Sequence, residues 1–168
     1  DVLRRSPGRV LLAGGISFGF AAIFYITIIF LLSYGTSQLG ISGSVLLVGT
    51  IIGAVFQIAT ILGFNALSDR IGRRPVIIGG ALVSAALAFP FFWLLQSGAP
   101  ALVWLAITAM MVSSAAIYGP LAVLLAELFG TRLRYSGASL GYQLGATIGG
   151  GFSPLIATSI LAWSGGGP

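Results

Sequence analysis

Formal charges are absent from three long stretches of this 168-residue chain, residues 10–68, 75–126 and 135–168. A soluble domain normally carries about a quarter charged residues, whereas charged residues are 7% of this chain and hydrophobic residues are 57%. One membrane-spanning helix needs about 20 mainly apolar residues. Uncharged stretches of 59, 52 and 34 residues are therefore long enough for two, two and one spans. The sequence predicts an all-α integral membrane protein with five transmembrane helices in a lipid bilayer.

Prolines and polar turns set the boundaries of these helices. Pro75 and Pro100 suit the first turn of a helix, where the missing N–H removes no hydrogen bond. The segments TSQLGISGS (36–44) and QSGAP (96–100) are polar and uncharged, as expected of short turns. We expect the spans at about residues 10–34, 45–67, 75–95, 101–125 and 135–161.

The charges lie on one side of these predicted spans. They precede the first span, separate the second from the third, and separate the fourth from the fifth. An excess of arginine marks the cytoplasmic side of a membrane protein, so the N-terminus is predicted to be cytoplasmic. The net charge of +5 does not indicate nucleic acid as a partner, because the arginines sit in short turns and not on a solvated basic face.

The chain contains no cysteine, histidine or lysine. Thiol nucleophiles, histidine-dependent triads, Cys/His metal sites and Schiff-base chemistry are therefore excluded for these residues. All three carboxylates fall at the predicted cytoplasmic boundary, away from the interior of the spans. The sequence predicts no enzyme, no metal and no cofactor.

The stretch LSDRIGRRPV (67–76) concentrates four charges within six residues. Its pattern Asp-Arg-x-Gly-Arg-Arg, between two spans, resembles the signature loop of the major facilitator superfamily. The segment AELFGTRLRYSGASLGYQLGATIGGG (126–151) is similar to the connection between the tenth and eleventh helices in the metabolite:proton symporter branch of that superfamily. The glycine that usually opens the loop pattern is replaced by Asn65, which predicts a looser helix contact there.

The resemblance implies that the five spans are helices seven to eleven of a transporter. Residues 1–168 would then form an incomplete C-terminal transmembrane domain, whose partners are an N-terminal six-helix half and a twelfth helix. The resemblance also implies a secondary active transporter in a bacterial inner membrane. It would move a small metabolite, such as an organic acid or a zwitterionic osmolyte, by alternating access and proton symport. The alternative is a small helical membrane scaffold or assembly subunit without transport activity.

A gating role for the charged turns follows from the same resemblance. Asp69 is placed to accept hydrogen bonds from the N-terminus of a neighbouring helix, and Arg73 to pair bidentately with Glu127, with Arg134 completing the cluster. Under the alternative, the arginines only orient the helices. The candidate gating residues are Asp69, Arg70, Gly72, Arg73, Arg74, Glu127 and Arg134.

Polar side chains inside the spans are candidates for contacts with a small-molecule substrate. Serine, threonine or a lone glutamine in a membrane helix also serves to hold helices together, so each residue has a packing alternative. Longer side chains reach farther into a cavity, and the predicted substrate-binding residues are Tyr25, Gln57, Tyr118, Tyr142 and Gln143.

The fifth predicted span carries glycines at four-residue intervals, which places them along one side of a helix. Such a row of small residues allows a second backbone to approach closely. The sequence therefore predicts a helix-packing face made of Gly137, Gly141, Gly145 and Gly149.

Overall fold

The computed structural model describes residues 7–129 and 134–163, without the side chain of Arg134. Helix α1 (Pro7–Tyr25) runs into a π-helical segment (Ile26–Phe30) and then α2 (Leu31–Ser37), so that these three form one continuous span. Four more helices follow: α3 (Gly43–Ile71), α4 (Arg73–Gln96), α5 (Pro100–Leu128) and α6 (Arg134–Trp163).

Five helical units in the described residues are long and apolar enough to cross a membrane. Each predicted span lies within one of these units, and Pro100 occupies the first turn of α5. Large apolar side chains such as Leu62, Phe89 and Trp93 point away from the protein interior, with 70–87% of their surface exposed. Only a hydrocarbon solvent accommodates so many exposed apolar groups. The predicted all-α membrane fold is confirmed.

Helix α5 lies at the centre of the bundle and is the most buried of the five units. Helices α3 and α4 both pack along α5 and contact each other much less, while α1 packs mainly against α6. Two apolar clusters fill the interior. One is built around Phe20, Leu121 and Phe129, and the other around Leu31, Leu95 and Ile107.

Small residues allow α3 and α5 to approach closely. A side chain on Gly49 or Gly53 would collide with Trp104, Ile107 or Met111 of α5. At the end near the charged turn the small residue is on α5 instead, since a Cβ on Gly119 would lie 3.2 Å from the carbonyl oxygen of Ile61 and 3.6 Å from Oδ1 of Asn65. The looser contact predicted from Asn65 is therefore wrong: a glycine of the partner helix supplies the space that Asn65 takes away.

The π-helical segment interrupts the first span directly after Tyr25. The N–H of Leu31 donates to the carbonyl oxygen of Ile26, five residues earlier, where an α-helix would use the fourth. Thr27 is buried, and its hydroxyl donates to the carbonyl oxygen of Ile23 at 2.7 Å. Single π-turns inside α-helices occur frequently at functional sites, and this one adjoins a predicted substrate-binding residue.

Candidate functional site

Gly72 alone joins α3 to α4 at the centre of the charged stretch. Its φ is +97°, a conformation that residues with a Cβ rarely adopt. The N–H of Gly72 donates to the carbonyl oxygen of Ser68 at 3.0 Å and closes the end of α3. The turn therefore reverses the chain within one residue and keeps Asp69 and Arg73 on neighbouring helix ends.

Arg73 connects the ends of three helices. Its Nη1 donates to Oδ1 of Asp69 on α3 at 2.8 Å, and its Nε donates to Oε1 of Glu127 on α5 at 2.8 Å. A third, longer contact of 3.4 Å joins Nη1 to the hydroxyl of the buried Ser68. The guanidinium is charged at every physiological pH, so a change in pH does not break these bonds by deprotonating the arginine. Exposed ion pairs are individually weak, but one guanidinium here fixes two carboxylates at once.

The predicted bidentate pair of Arg73 with Glu127 is wrong in its geometry, although the two residues are bonded. Asp69 lies four residues before Arg73 across the tight turn and takes Nη1, which leaves Nε for Glu127. The exposed fractions of the Asp69 and Glu127 side chains are 67% and 55%, and within the described residues the second oxygen of each carboxylate has no hydrogen-bond partner. The contact of Asp69 with a neighbouring helix N-terminus stays a prediction. The side chain of Arg134 lies outside the described residues.

Arg70 and Arg74, the other two arginines of the turn, are exposed. Neither has an ion-pair or hydrogen-bond partner within the part of the chain that the structure describes. Within the described residues, the turn thus contains one arginine engaged by carboxylates and two arginines without a partner.

Gln57 is buried, and its Nε2 donates to the hydroxyl of Ser114 on α5 at 2.9 Å. This bond joins α3 to α5 in the interior of the bundle. Thr50 and Thr60 donate to carbonyl oxygens of their own helix at 2.9 and 2.7 Å. For Gln57 the structure thus favours the helix-packing alternative over a substrate contact.

Three of the predicted residues, Tyr25, Tyr118 and Tyr142, come together from α1, α5 and α6. Tyr142 packs against the apolar cluster that contains Phe20, the residue on which Tyr118 stacks, and Tyr25 lies against Gly150 of α6. Tyr25 and Tyr118 keep 38% and 43% of their surfaces exposed, and Tyr142 is half-buried. Their hydroxyls have no hydrogen-bond partner among residues 7–129 and 134–163. We refer to these three residues as the tyrosine cluster.

Aromatic neighbours fix the positions of two of these tyrosines. The ring of Tyr118 stacks on Phe20 with 4.7 Å between ring centroids, and Tyr25 packs edge-on against Phe24 at 5.8 Å. The ring of Tyr25 also lies against the backbone of α6, because a side chain on Gly150 would collide with it. Gln143 is exposed on α6 next to Tyr142. Phe20 was not predicted as a site residue from the sequence. Its spacing of seven residues from the polar Thr27 places both residues on one face of a helix, and this spacing is the only sequence signal for it.

The glycine row of α6 faces two different neighbours. A side chain on Gly141 would meet Ala13, one on Gly145 would meet the carbonyl oxygen of Gly14, and one on Gly149 would meet the carbonyl oxygen of Phe18. All three contacts are with α1. Gly137 instead lies under the ring of Phe129, the last described residue before residues 130–133.

The fold and these contacts define a multi-pass membrane protein with a charged network at one end of its bundle and, on three of its helices, phenols that have no hydrogen-bond partner among the described residues. The sequence profile of the sugar (and other) transporter family matches residues 4–165. The chain therefore belongs to this family of the major facilitator superfamily, and the predicted resemblance is confirmed.

Curated relatives agree with this assignment. The chain is 34% identical to the shikimate transporter of Escherichia coli K12 over an alignment of 170 positions that covers 99% of this chain and 38% of that protein. It is 30% identical to the citrate-proton symporter of Klebsiella pneumoniae over 84% of this chain and 32% of that protein. It is 29% identical to a proline/betaine transporter of Salmonella typhimurium over 83% of this chain and 27% of that protein. No solved structure matches the chain.

The chain thus spans roughly a third of the length of the curated relatives it matches. The shared family and the five apolar helices make it a multi-pass membrane protein of a transporter family.

Proposed function

We propose that this chain is most of the C-terminal six-helix half of a secondary transporter that moves a small metabolite by alternating access. Its five spans would be helices seven to eleven, which fits a chain that covers roughly a third of each relative. An N-terminal six-helix half and a twelfth helix would complete the pathway. In transporters built from repeats, the substrate binds near the bilayer midplane where the repeats meet.

The tyrosine cluster is the observation that carries the proposed binding site. Three partly exposed phenols from α1, α5 and α6 lie in one region of the bundle, and their hydroxyls have no hydrogen-bond partner within the described part of the chain, so these groups are available to a ligand. Shikimate, citrate, proline and betaine, which appear in the names of the relatives, all carry a carboxylate that accepts hydrogen bonds from phenols. The aromatic faces also suit a quaternary ammonium group. We therefore propose an organic acid or a zwitterionic osmolyte as substrate, with Tyr25, Tyr118, Tyr142 and Gln143 around it.

Uptake into cells that express the full-length protein tests this proposal. Labelled shikimate, citrate, proline and betaine are supplied separately, with and without a protonophore. Accumulation of one compound that the protonophore abolishes supports proton symport of that substrate class. Failure to accumulate any of the four, with the protein present in the membrane, would contradict the proposed substrate class. In the described residues the carboxylates lie only at the charged end of the bundle, so we assign the proton site to the rest of the protein.

Tyr118→Phe is expected to raise the substrate concentration for half-maximal uptake by up to about tenfold. The variant keeps the ring that stacks on Phe20 and removes only a hydroxyl, whose hydrogen bond to a bound carboxylate contributes about 1 kcal/mol or somewhat more. The matched control is Tyr135→Phe, because Tyr135 is 89% exposed at the start of α6. Uptake kinetics that are identical in the natural protein and both variants would remove Tyr118 from the binding site.

Orientation in the membrane is expected to follow the arginines, with Arg70 cytoplasmic and Ser37 and Ser97 outside. The sequence contains no cysteine, so a full-length protein freed of any other cysteines can carry a single cysteine at each of these positions. A membrane-impermeant maleimide added to intact cells should label positions 37 and 97 and should label position 70 only after the cells are opened. Efficient labelling of position 70 from outside would reverse the proposed topology.

A further inference from the structure

An apolar groove runs along the outside of the bundle between α3 and α4. It exists because both helices pack on α5 and not closely on each other, so α5 forms its floor. The groove has a volume of about 460 Å³. Its walls and floor include Leu67, Ile71, Gly79, Val83, Ala109 and Ala116.

The groove begins at the charged turn. Ile71 and Pro75, which line that end, directly follow Arg70 and Arg74 in the chain. Both arginines are exposed and lack a partner within the described residues, whereas Arg73 is occupied by two carboxylates. Arginine side chains lay their apolar stems along a hydrophobic surface and place the guanidinium in the polar layer. Two arginines without a partner in the described residues therefore lie at the end of the helices where the apolar channel begins, with Arg74 lining an adjoining depression beside Glu127.

We propose that this groove binds one acyl chain of an anionic phospholipid, whose phosphate is held by Arg70 and Arg74. Basic sites between transmembrane helices are suited to anionic lipid headgroups, and guanidinium groups match the geometry of phosphate oxygens. The proposal goes beyond transport and is independent of the substrate, because lipid binding is measured without uptake.

The two parts of the site have different roles. Lipid tails are as apolar as the groove, so no hydrophobic driving force favours entry, and the groove contributes shape and van der Waals contact. The preference for an anionic lipid over a zwitterionic one must then come from the arginines. Each positive charge near a membrane surface changes affinity for an anionic lipid by about fivefold, so loss of both should reduce the preference by about 25-fold.

Native mass spectrometry of the purified full-length protein tests this site. The protein is titrated with dioleoyl phosphatidylglycerol and, as the zwitterionic reference, with dioleoyl phosphatidylcholine. The charge variant is Arg70→Gln with Arg74→Gln. Its control is Arg9→Gln, which removes an exposed arginine on α1, away from the groove.

A second variant, Gly79→Leu, tests the groove itself. A Cβ on Gly79 would meet nothing within 4 Å, so leucine fills the channel without forcing the helices apart. Its control is Gly63→Leu, on an equally open position of α3 that does not line the groove.

We expect the natural protein to retain phosphatidylglycerol in preference to phosphatidylcholine. The charge variant should lose most of this preference, and Gly79→Leu should retain less of both lipids, while the two controls behave like the natural protein. Equal retention of both lipids by the natural protein, or an unchanged preference in the charge variant, would overturn the role of the arginines. Undiminished lipid retention by Gly79→Leu would overturn the groove as the binding place.

Discussion

Gly145→Ala is expected to prevent the full-length protein from accumulating in the membrane, or to lower its unfolding temperature strongly. The added methyl group would overlap the carbonyl oxygen of Gly14 and would also clash with Cβ of Ser17 at 2.7 Å and the backbone nitrogen of Phe18 at 2.8 Å on α1. The carbonyl belongs to the backbone and cannot rotate away, so the two helices must separate. Overpacking of a close contact costs about 1–3 kcal/mol, and more where backbone must move.

The matched control for Gly145 is Gly151→Ala on the same helix. A Cβ on Gly151 would meet nothing within 4 Å, and alanine is favoured over glycine in a helix by about 1 kcal/mol. This control should accumulate at least as well as the natural protein. Membrane abundance and thermal unfolding, measured in parallel, separate the two outcomes. If Gly145→Ala is as stable as Gly151→Ala, α1 and α6 do not pack in the full protein as they do here.

Arg73→Gln is expected to reduce the initial rate of uptake by about tenfold while membrane abundance and topology stay normal. The variant removes both the bond to Asp69 and the bond to Glu127, and frees two exposed carboxylates that repel each other. Each pair is weak alone, but transport responds to the difference in stability between two conformations. If the turn only orients the helices, one lost arginine among several should leave uptake unchanged.

Two comparisons sharpen the test of Arg73. Arg9→Gln removes the same charge from the same predicted side but from a residue with no partner in the described segments, and should transport normally. Arg73→Glu combined with Glu127→Arg should recover part of the activity that either single change loses, since the ion pair between positions 73 and 127 is restored with its charges exchanged. Recovery should be incomplete, because the new carboxylate at position 73 faces Asp69. A normal uptake rate for Arg73→Gln would indicate that the charged stretch only orients the helices in the membrane.

Much of the fold was predictable because the bilayer restricts what an uncharged chain can do. Long apolar stretches separated by Gly72 and Pro100 leave little choice of helix boundary. The partner of Arg73 was harder to predict, because the competition between Asp69 and Glu127 depends on how three helix ends meet. The same holds for Gln57, whose bond to Ser114 joins residues 57 positions apart.

The candidate binding site shows the same limit. Tyr25, Tyr118 and Tyr142 were predicted individually from their length and polarity. Their convergence depends on the packing of α1, α5 and α6, which no local pattern encodes. Unpaired hydroxyls can be recognised only once every neighbour has been placed, so the strongest evidence for the site comes from the three-dimensional arrangement.

The π-helical turn at Ile26–Phe30 affects how this span should be aligned with those of other transporters. A π-turn holds one residue more than the α-helical turn it replaces, while the helices on both sides keep their facing. A counterpart one residue shorter could therefore present the same faces through an unbroken α-helix. If the segment is treated as an ordinary α-helix, with about 100° of rotation per residue, the expected direction of the Tyr34 side chain is wrong by about the rotation of one residue. An alignment gap placed within these five residues keeps both ends of the span in correct register. An alignment gap placed elsewhere would match buried positions of this span with lipid-facing positions of the other transporter.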